Sequence, residues 1–371
     1  MAGLEVLDII NEPTAAAIAY GVQQEFLDEK GRKMSKSRGN VIDPLEIVEE
    51  YGADAVRFTL SVSAAPGTDI TFSISRMAGY RAFCNKIWNA GRFLLLNLER
   101  TGPVSTNEMK SLFQKSSLQL EDRWIVSRLH QVIGSVETNL SRFRFHAASN
   151  ELYHFFWDEF CDWYIEFIKV RLRSDDARDR EIVNTTALYV VETSLRLLHP
   201  FMPFVTEELW QRLPHEGPTI ALASFPQTRE EWIDPEALET TGMLRKLISA
   251  IRTARTENRI DPRHKLPCQL QSESGSRALV QRHRKKIVSL AGLEAITPVD
   301  QLRDGGLQVR GLSPLGEFAL QLDQVIDVEA ERERLGRQVE KVRGEIEGLE
   351  RRLRNPAFVE KAPTEVVEGT R

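Results

Sequence analysis

The sequence has few cysteines, no long hydrophobic run and no large excess of either charge. Cys84, Cys161 and Cys268 lie far apart among 371 residues, so they form neither a zinc-binding Cys-x-x-Cys pair nor an even set for disulfides. We therefore expect no metal site. The few cysteines also indicate a reducing compartment, so we expect the protein to be in the cytoplasm. No run approaches the ~20 apolar residues that span a bilayer, and Glu5 and Asp8 stand where a secretory signal would be basic. We expect no membrane partner.

The overall composition is that of a soluble globular protein with two or more domains. Hydrophobic residues make up 42% and charged residues 28% of the chain, which excludes disorder as the dominant state. The formal net charge of -5 argues against non-specific binding of DNA or other nucleic acids by the whole surface. Basic residues must therefore be judged segment by segment.

The fold class predicted from the apolar spacing is mainly α. Apolar and aromatic residues keep helical spacing through most of residues 76–225, which predicts a bundle of four long helices. These run through Tyr80 to Leu94, Ile125 to Leu140, Leu152 to Phe167 and Ile182 to Leu198. We interpret the aromatic stripes, with Cys161 and His199, as core rather than as a site.

Residues 226–324 predict a small α/β element, because one helix is followed by short apolar runs typical of strands. The helix is predicted at Leu238 to Thr256. The strands are predicted around Leu266 to Leu270, Ala295 to Val299, Leu307 to Val309 and Phe318 to Leu322.

Residues 325–371 predict a charged coiled-coil helix. Its apolar seam alternates steps of four and three and ends before Asn355-Pro356. The seam consists of Leu335, Val339, Val342, Ile346, Leu349 and Leu353. We expect a monomer, with self-association through this uncovered seam or through the apolar run Leu4 to Ile10 as the alternative.

One basic loop, Lys33-Met34-Ser35-Lys36-Ser37 between Gly31 and Gly39, has residue types that indicate phosphate chemistry. Two lysines flanking a serine can place ammonium and hydroxyl donors against phosphate oxygens as charge develops on a departing pyrophosphate. In isolation, such a loop is more often an ordinary solvated surface. The sequence around this loop favours phosphate binding over an ordinary solvated surface.

The loop and several later motifs together resemble class I aminoacyl-tRNA synthetases. The motifs are Gly39 to Pro44, Tyr51 to Arg57, Asn85 to Ala90, Phe160 to Tyr164 and His199 to Trp210. The resemblance implies that residues 23–75 are a signature-loop remnant of an incomplete nucleotide-binding fold. It also implies that residues 33–37 bind ATP with Mg²⁺, that Lys36, helped by Lys33, is catalytic, and that 76–225 is an anticodon-binding domain.

The C-terminal segment indicates which amino acid is attached. Valyl-, isoleucyl- and leucyl-tRNA synthetases share much of the pattern, but Asn355 to Glu368 after the heptad helix resembles the valyl-tRNA synthetase arm. Isoleucyl enzymes often carry a zinc-binding cysteine cluster in this region, and this sequence has none. The resemblance therefore implies a valine-tRNA ligase whose partner is valine-specific tRNA.

Basic residues in the second half of the chain are candidate RNA phosphate contacts. Arg252, Arg255 and Arg259 share a helical face if their helix extends that far. The full candidate set is Arg245, Arg252, Arg255, Arg259, Lys341 and Arg351, beside a second basic cluster of Arg282, Arg284, Lys285 and Lys286. Ordinary solvation is the competing interpretation for any one of them.

The resemblance is incomplete at the N-terminal side. The seven histidines include no His-x-Gly-His pair, and residues 1–22 instead resemble an ATPase-domain segment of DnaK-type chaperones. The amino-acid pocket and editing domain are not found either. We therefore expect the chain to be inactive alone. Two alternatives stay open: a non-catalytic tRNA-binding module, and a fusion or assembly product without selected function.

Overall fold

The chain divides into two compact units, Met1–Gly242 and Met243–Arg371. The computed structural model describes residues 26–40, 43–65, 69–71, 73–97, 102–114, 117–303, 305–322 and 328–353. The predicted strand at Leu4 to Ile10 and the Asn355-Pro356 stop lie outside these residues. The units divide inside a helix, whereas the boundary predicted from the sequence lies between residues 225 and 226.

The first unit begins with two short paired strands and two short helices. β1 (Phe26–Leu27) pairs in parallel with β2 (Ile70–Thr71), and α1 (Pro44–Tyr51) and α2 (Ala53–Ser63) lie between them in sequence. Asp43 caps α1 by accepting a hydrogen bond from the Leu45 N–H at 2.8 Å, which is the role that an Asp-Pro pair predicts.

A helical bundle fills the rest of the first unit, as the apolar spacing predicts. Its helices are α3 (Ile74–Asn97), α4 (Thr106–Gln114), α5 (Leu120–Ser141), α6 (Phe145–His154), α7 (Ala177–Leu198) and α8 (Pro203–Trp210). α6 continues through a π-helical segment, Phe155–Tyr164, into Ile165–Ile168. Phe83, Trp124 and Phe160 are buried. These rings and Cys161 are therefore core, whereas His199 is half-buried.

Residues of α2 hold the start of α8 in place. The buried Asp54 carboxylate accepts hydrogen bonds from the Phe204 and Val205 N–H groups at 3.1 and 2.7 Å. Arg57 donates to the carbonyls of Pro200 and Phe201 at 3.0 and 3.3 Å. These contacts satisfy backbone groups that helix ends leave unpaired, and they join two of the sequence motifs.

A buried ionic cluster lies within the bundle. Arg171 is 7% exposed and its guanidinium lies 3.1 Å from Glu121, 2.7 Å from Asp122 and 2.7 Å from Asp179. The Tyr164 hydroxyl donates a further hydrogen bond to Asp122 at 3.0 Å. Three carboxylates therefore depend on one buried guanidinium.

His130 is fully buried beside the α5–α7 contact. Its Nδ1 accepts a hydrogen bond from the Arg229 N–H at 3.1 Å, and its Nε2 lies 3.1 Å from the Tyr189 hydroxyl. Burial, reinforced by the Arg229 charge, lowers the pKa of His130 to about 4. The folded state therefore holds this imidazole neutral.

Acid is expected to destabilise the bundle through His130. A folded-state pKa below the unfolded value of about 6.5 gives stability that is present above pH 6.5 and lost as pH falls toward 4. Between pH 7 and 4 the wild type should lose about 3 kcal/mol more than His130→Asn, whose Oδ1 can still accept from Arg229. Urea unfolding at several pH values measures this difference. Identical pH profiles would show that His130 is not held neutral.

The second unit contains a four-stranded mixed sheet that confirms the predicted α/β character. After α9 (Pro235–Glu257), the chain forms β3 (Leu266–Gln271), α10 (Ser274–Ala291), β4 (Leu293–Val299), β5 (Gln308–Ser313) and β6 (Gly316–Gln321). The strand order is β4-β3-β6-β5, with β3 and β4 parallel and the other pairs antiparallel. Gly316, at φ +132°, lies where a Cβ would clash with the Gln271 carbonyl oxygen. α10 is not among the helices predicted from the sequence.

The last described helix is α11 (Val328–Leu353), as the heptad pattern predicts. Its seam residues Val339, Val342, Ile346 and Leu349 are 41–51% exposed. Within the described residues, no helix is long and apolar enough to cross a membrane.

Candidate nucleic-acid interface

The basic loop of the first unit is held by two polar side chains, Asp28 and Asn40. Asp28 accepts hydrogen bonds from the Arg32 side chain at 2.9 Å and from Asn40 at 3.0 Å. The hydrogen bond from Arg32, and to a smaller extent the one from Asn40, holds the pKa of the Asp28 carboxyl well below its usual range. Asn40 also accepts from the Ser35 N–H at 3.0 Å and donates to the Lys33 carbonyl at 3.2 Å. Asp28 is not among the site residues predicted from the sequence, although an aspartate directly after a short strand was the available signal.

Apolar packing anchors the middle of the same loop. Met34 contacts the small cluster of Ile47 and Met77, which also includes Tyr51 on α1. Lys33 is exposed, and the Ser35 and Ser37 hydroxyls lie 3.2 Å apart. Lys36 begins a short 3-10 turn, Lys36–Arg38, but its side chain lies outside the described part of the structure. The loop therefore has a fixed base and polar groups at its tip.

The loop alone can contact one side of a phosphate group. Exposed ammonium and hydroxyl groups suit phosphate oxygens, and the loop fits the part of an ATP site that such groups provide. Among the described residues, no group of three or more His, Cys, Asp or Glu side chains could hold a metal ion. Burial raises the pKa of Cys161 to about 12, so that thiol is a core group rather than a nucleophile.

Two of the predicted RNA-binding arginines instead cap a helix in the second unit. Arg255 is buried, and its guanidinium donates to the carbonyls of Gly292, Asp261 and His264 at 2.7–3.2 Å. Arg252 is exposed but donates to the Leu290 carbonyl at 2.8 Å. Leu290 and Gly292 lie at the C-terminal end of α10, where carbonyls lack partners and cations are favoured. The prediction that Arg255 is a surface phosphate contact is therefore wrong.

The condition for a common helical face of Arg252, Arg255 and Arg259 is not met. α9 ends at Glu257, and Arg259 lies beyond it with φ +53°. Arg259 is exposed, whereas Arg245 is half-buried. Arg252 and Arg259 are thus both surface cations. Arg252 lies in the helix, whereas Arg259 has a left-handed backbone conformation beyond its end.

α10 carries a cationic face in the second unit. No acidic residue occurs between Ser274 and Ala291. Arg282, Arg284 and Lys285 are exposed, and within the described residues none of the three forms an ion pair. Such uncompensated cations are available to phosphates. In the arm, Lys341 is exposed, and the Arg351 side chain lies outside what the structure describes.

The turn between α5 and α6 has a conformation that was not predicted from the sequence. The Arg144 N–H donates to the Asn139 carbonyl at 2.8 Å and the Phe143 N–H donates to the Leu140 carbonyl at 3.0 Å. This is the Schellman pattern that usually ends a helix with glycine, yet Phe143 occupies that position at φ +56°. A left-handed conformation costs a non-glycine residue about 1–2 kcal/mol.

Four family models match this chain. The model described as anticodon-binding domain of tRNA ligase matches residues 122–270, and the model described as tRNA synthetases class I (I, L, M and V) matches 20–73. The model described as Valyl tRNA synthetase tRNA binding arm matches 327–371. The chain is related to the C-terminal part of valyl-tRNA synthetases. An Hsp70 protein model also matches residues 1–34, and this match is weak.

Curated valine-tRNA ligases agree with that relationship. The ligase of Carboxydothermus hydrogenoformans is 42% identical over 378 aligned positions, which cover 100% of this chain and 40% of the relative. That of Thermotoga maritima is 39% identical and that of Geobacter sulfurreducens 42%, over 94% and 93% of this chain. The chain spans about 40% of the length of these valyl-tRNA synthetase relatives.

The chain is also similar to a solved structure, the LeuRS-tRNA-LeuAMS ternary complex of Agrobacterium radiobacter K84. The similarity covers 58% of this chain and 24% of the chain in that structure. The TM-score is 0.45 and the sequence identity is 26%.

Proposed function

We propose that this chain is a tRNA-binding part of a valyl-tRNA synthetase, the enzyme that attaches valine to its tRNA with ATP. The observation that carries the proposal is the uncompensated cationic face of Arg282, Arg284 and Lys285 on α10. This face follows closely on the match to the anticodon-binding domain and precedes the match to the tRNA-binding arm. Cations of this kind position RNA through its phosphates without reading the bases.

Each domain predicted from the sequence has its own role in this proposal. We propose residues 23–75 as the signature-loop region, 76–225 as the anticodon-binding bundle, 226–324 as a small α/β element and 325–371 as the arm. The partner is valine tRNA, the chain acts as a monomer, and the compartment is the cytoplasm. Arg245, Arg252, Arg259, Lys341 and Arg351 are the proposed contacts beside the α10 face.

The signature loop contributes to the first step of the reaction in this proposal. In that step the valine carboxylate attacks the α-phosphate of ATP, bound with Mg²⁺, and pyrophosphate leaves. Lys33 and Lys36 hold the leaving phosphates, and the hydrogen bonds of Asp28 and Asn40 keep the loop backbone fixed while they do so. Met34 ties the loop to α1 and α3 through its apolar contacts.

A binding titration tests the RNA part of the proposal. Filter binding of the purified chain to a valine tRNA transcript, in steps from 50 to 300 mM KCl, should give log affinity falling linearly with log salt, because bound cations release counterions. Absence of binding at the lowest salt would refute the RNA assignment.

Valine-dependent exchange of pyrophosphate into ATP is expected to be absent from the purified chain. One preorganised donor such as Lys36 contributes roughly 3 kcal/mol, whereas catalysis needs about 8 kcal/mol or more. The sequence holds no His-x-Gly-His pair to supply more. Exchange above background that disappears in Lys36→Ala would contradict this expectation and assign a complete site to the chain.

A further inference from the structure

We propose that the turn Arg142–Phe143–Arg144 binds one unpaired nucleotide of the tRNA, with the base stacked on the Phe143 ring and the adjoining phosphates against the two guanidinium groups. This inference rests on the proposed tRNA-binding function. It adds an RNA contact in the first unit, separate from the cationic face of α10.

The backbone at Phe143 is unfavourable for this residue. Phe143 holds the left-handed position of a Schellman turn, where glycine is the usual residue, and its side chain is 62% exposed. Among the described residues its ring makes one edge-to-face contact, with Phe145 at 6.3 Å between centroids. Folding therefore gains little from burying this ring. A strained residue that packing does not explain points to a functional constraint.

The charges around Phe143 suit a nucleotide. Arg142 is exposed and Arg144 is half-buried, and neither forms an ion pair within the described residues. Within the part of the chain that the structure describes, the Arg144 Nε is also buried without a hydrogen-bond partner. Reorientation of this guanidinium toward a phosphate oxygen would supply the missing acceptor. An aromatic face between two uncompensated guanidinium groups is the combination that binds unstacked bases and their backbone.

An exposed aromatic ring alone does not indicate a nucleotide-binding site. Phe204 is an example. Phe204 is 64% exposed, close to the value for Phe143, but it lies in regular helix α8 with Glu207 and Glu208 in the following turn. The acidic neighbours would repel a phosphate backbone. Phe204 is therefore a matched control: equal exposure, opposite local charge and no backbone strain.

Titration of a valine tRNA transcript against three Phe143 variants tests the proposal. Phe143→Leu keeps an apolar side chain in the same strained conformation but removes the ring, and we expect tRNA affinity to fall about five- to hundredfold. Phe143→Tyr keeps the ring and should bind within about twofold of the wild type. Phe204→Leu should also leave the affinity unchanged.

Phe143→Gly separates a binding role from a structural one. Because glycine adopts positive φ without cost, this variant should unfold at the same or a higher temperature than the wild type while losing as much affinity as Phe143→Leu. A fall of several degrees in its melting temperature would mean that the ring stabilises the fold, and would overturn the proposal.

The double variant Arg142→Gln with Arg144→Gln completes the test. It should weaken binding and lower the salt slope by about 1–2, since each lost phosphate contact removes close to one released ion. If the Phe143 and Arg142/Arg144 variants bind as the wild type does, while changes on α10 weaken binding, the turn is not an RNA contact although the proposed function stands. Unchanged RNA affinity with reduced self-association would make the turn a protein contact and would likewise overturn the proposal. If the wild type itself does not bind, the proposed function fails first.

Discussion

Replacing Arg171 by methionine is expected to reduce the free energy of unfolding of the bundle by about 3–5 kcal/mol. The substitution leaves Glu121, Asp122 and Asp179 without the guanidinium that lies 2.7–3.1 Å from them, and two of these carboxylates are buried. An uncompensated buried charge costs far more than the same charge on the surface. Urea unfolding followed by circular dichroism gives the change.

Two further variants make this result specific. Lys169→Met removes a surface cation 2.5 Å from Glu166 and should cost less than about 1 kcal/mol, because exposed ion pairs contribute little. Combining Arg171→Met with Glu121→Gln and Asp122→Asn should recover part of the lost stability. If Arg171→Met alone stays within 1 kcal/mol of the wild type, the cluster does not stabilise the bundle.

Neutralising the α10 face should have a large effect on RNA binding. The triple variant Arg282→Gln, Arg284→Gln and Lys285→Gln is expected to weaken tRNA affinity by about ten- to hundredfold at 0.15 M salt and to lower the salt slope by about 2–3. The three side chains are exposed and form no ion pair within the described residues, so few structural contacts are lost. Filter binding at several salt concentrations measures both quantities.

A second triple variant controls for net charge. It also removes three positive charges, through Lys169→Gln, Arg212→Gln and Arg263→Gln. Each of these cations is already paired, with Glu166, Glu208 and Asp261 respectively. Binding should change by less than about threefold. Equal losses in the two triples would mean that binding follows net charge alone and that the α10 face has no particular role.

The helical bundle could be predicted from the sequence because its signal is local. Apolar residues such as Phe83 and Phe160 recur at helical spacing, and their burial follows from that spacing. The strands β3 to β6 could be found for a similar reason, since Leu266, Cys268 and Leu270 alternate with less buried residues.

Three features could not be predicted, because each depends on contacts distant in sequence or on backbone detail. α10 buries only Val280, Ile287 and Ala291, too few residues for a clear periodic signal. Arg255 has the composition of a surface cation, and its burial depends on carbonyls up to 37 residues away. Phe143 lies in a turn that the sequence marks with no glycine.

The most direct test of the account compares two RNAs of equal length. The purified chain is titrated at 0.15 M salt with a valine tRNA transcript and with an unstructured RNA of the same number of nucleotides. Both carry the same number of phosphates, so a difference in affinity reports recognition of the folded tRNA, with its own arrangement of phosphates, rather than of total charge. The account predicts that the tRNA binds at least about tenfold more tightly, and equal affinities would contradict it.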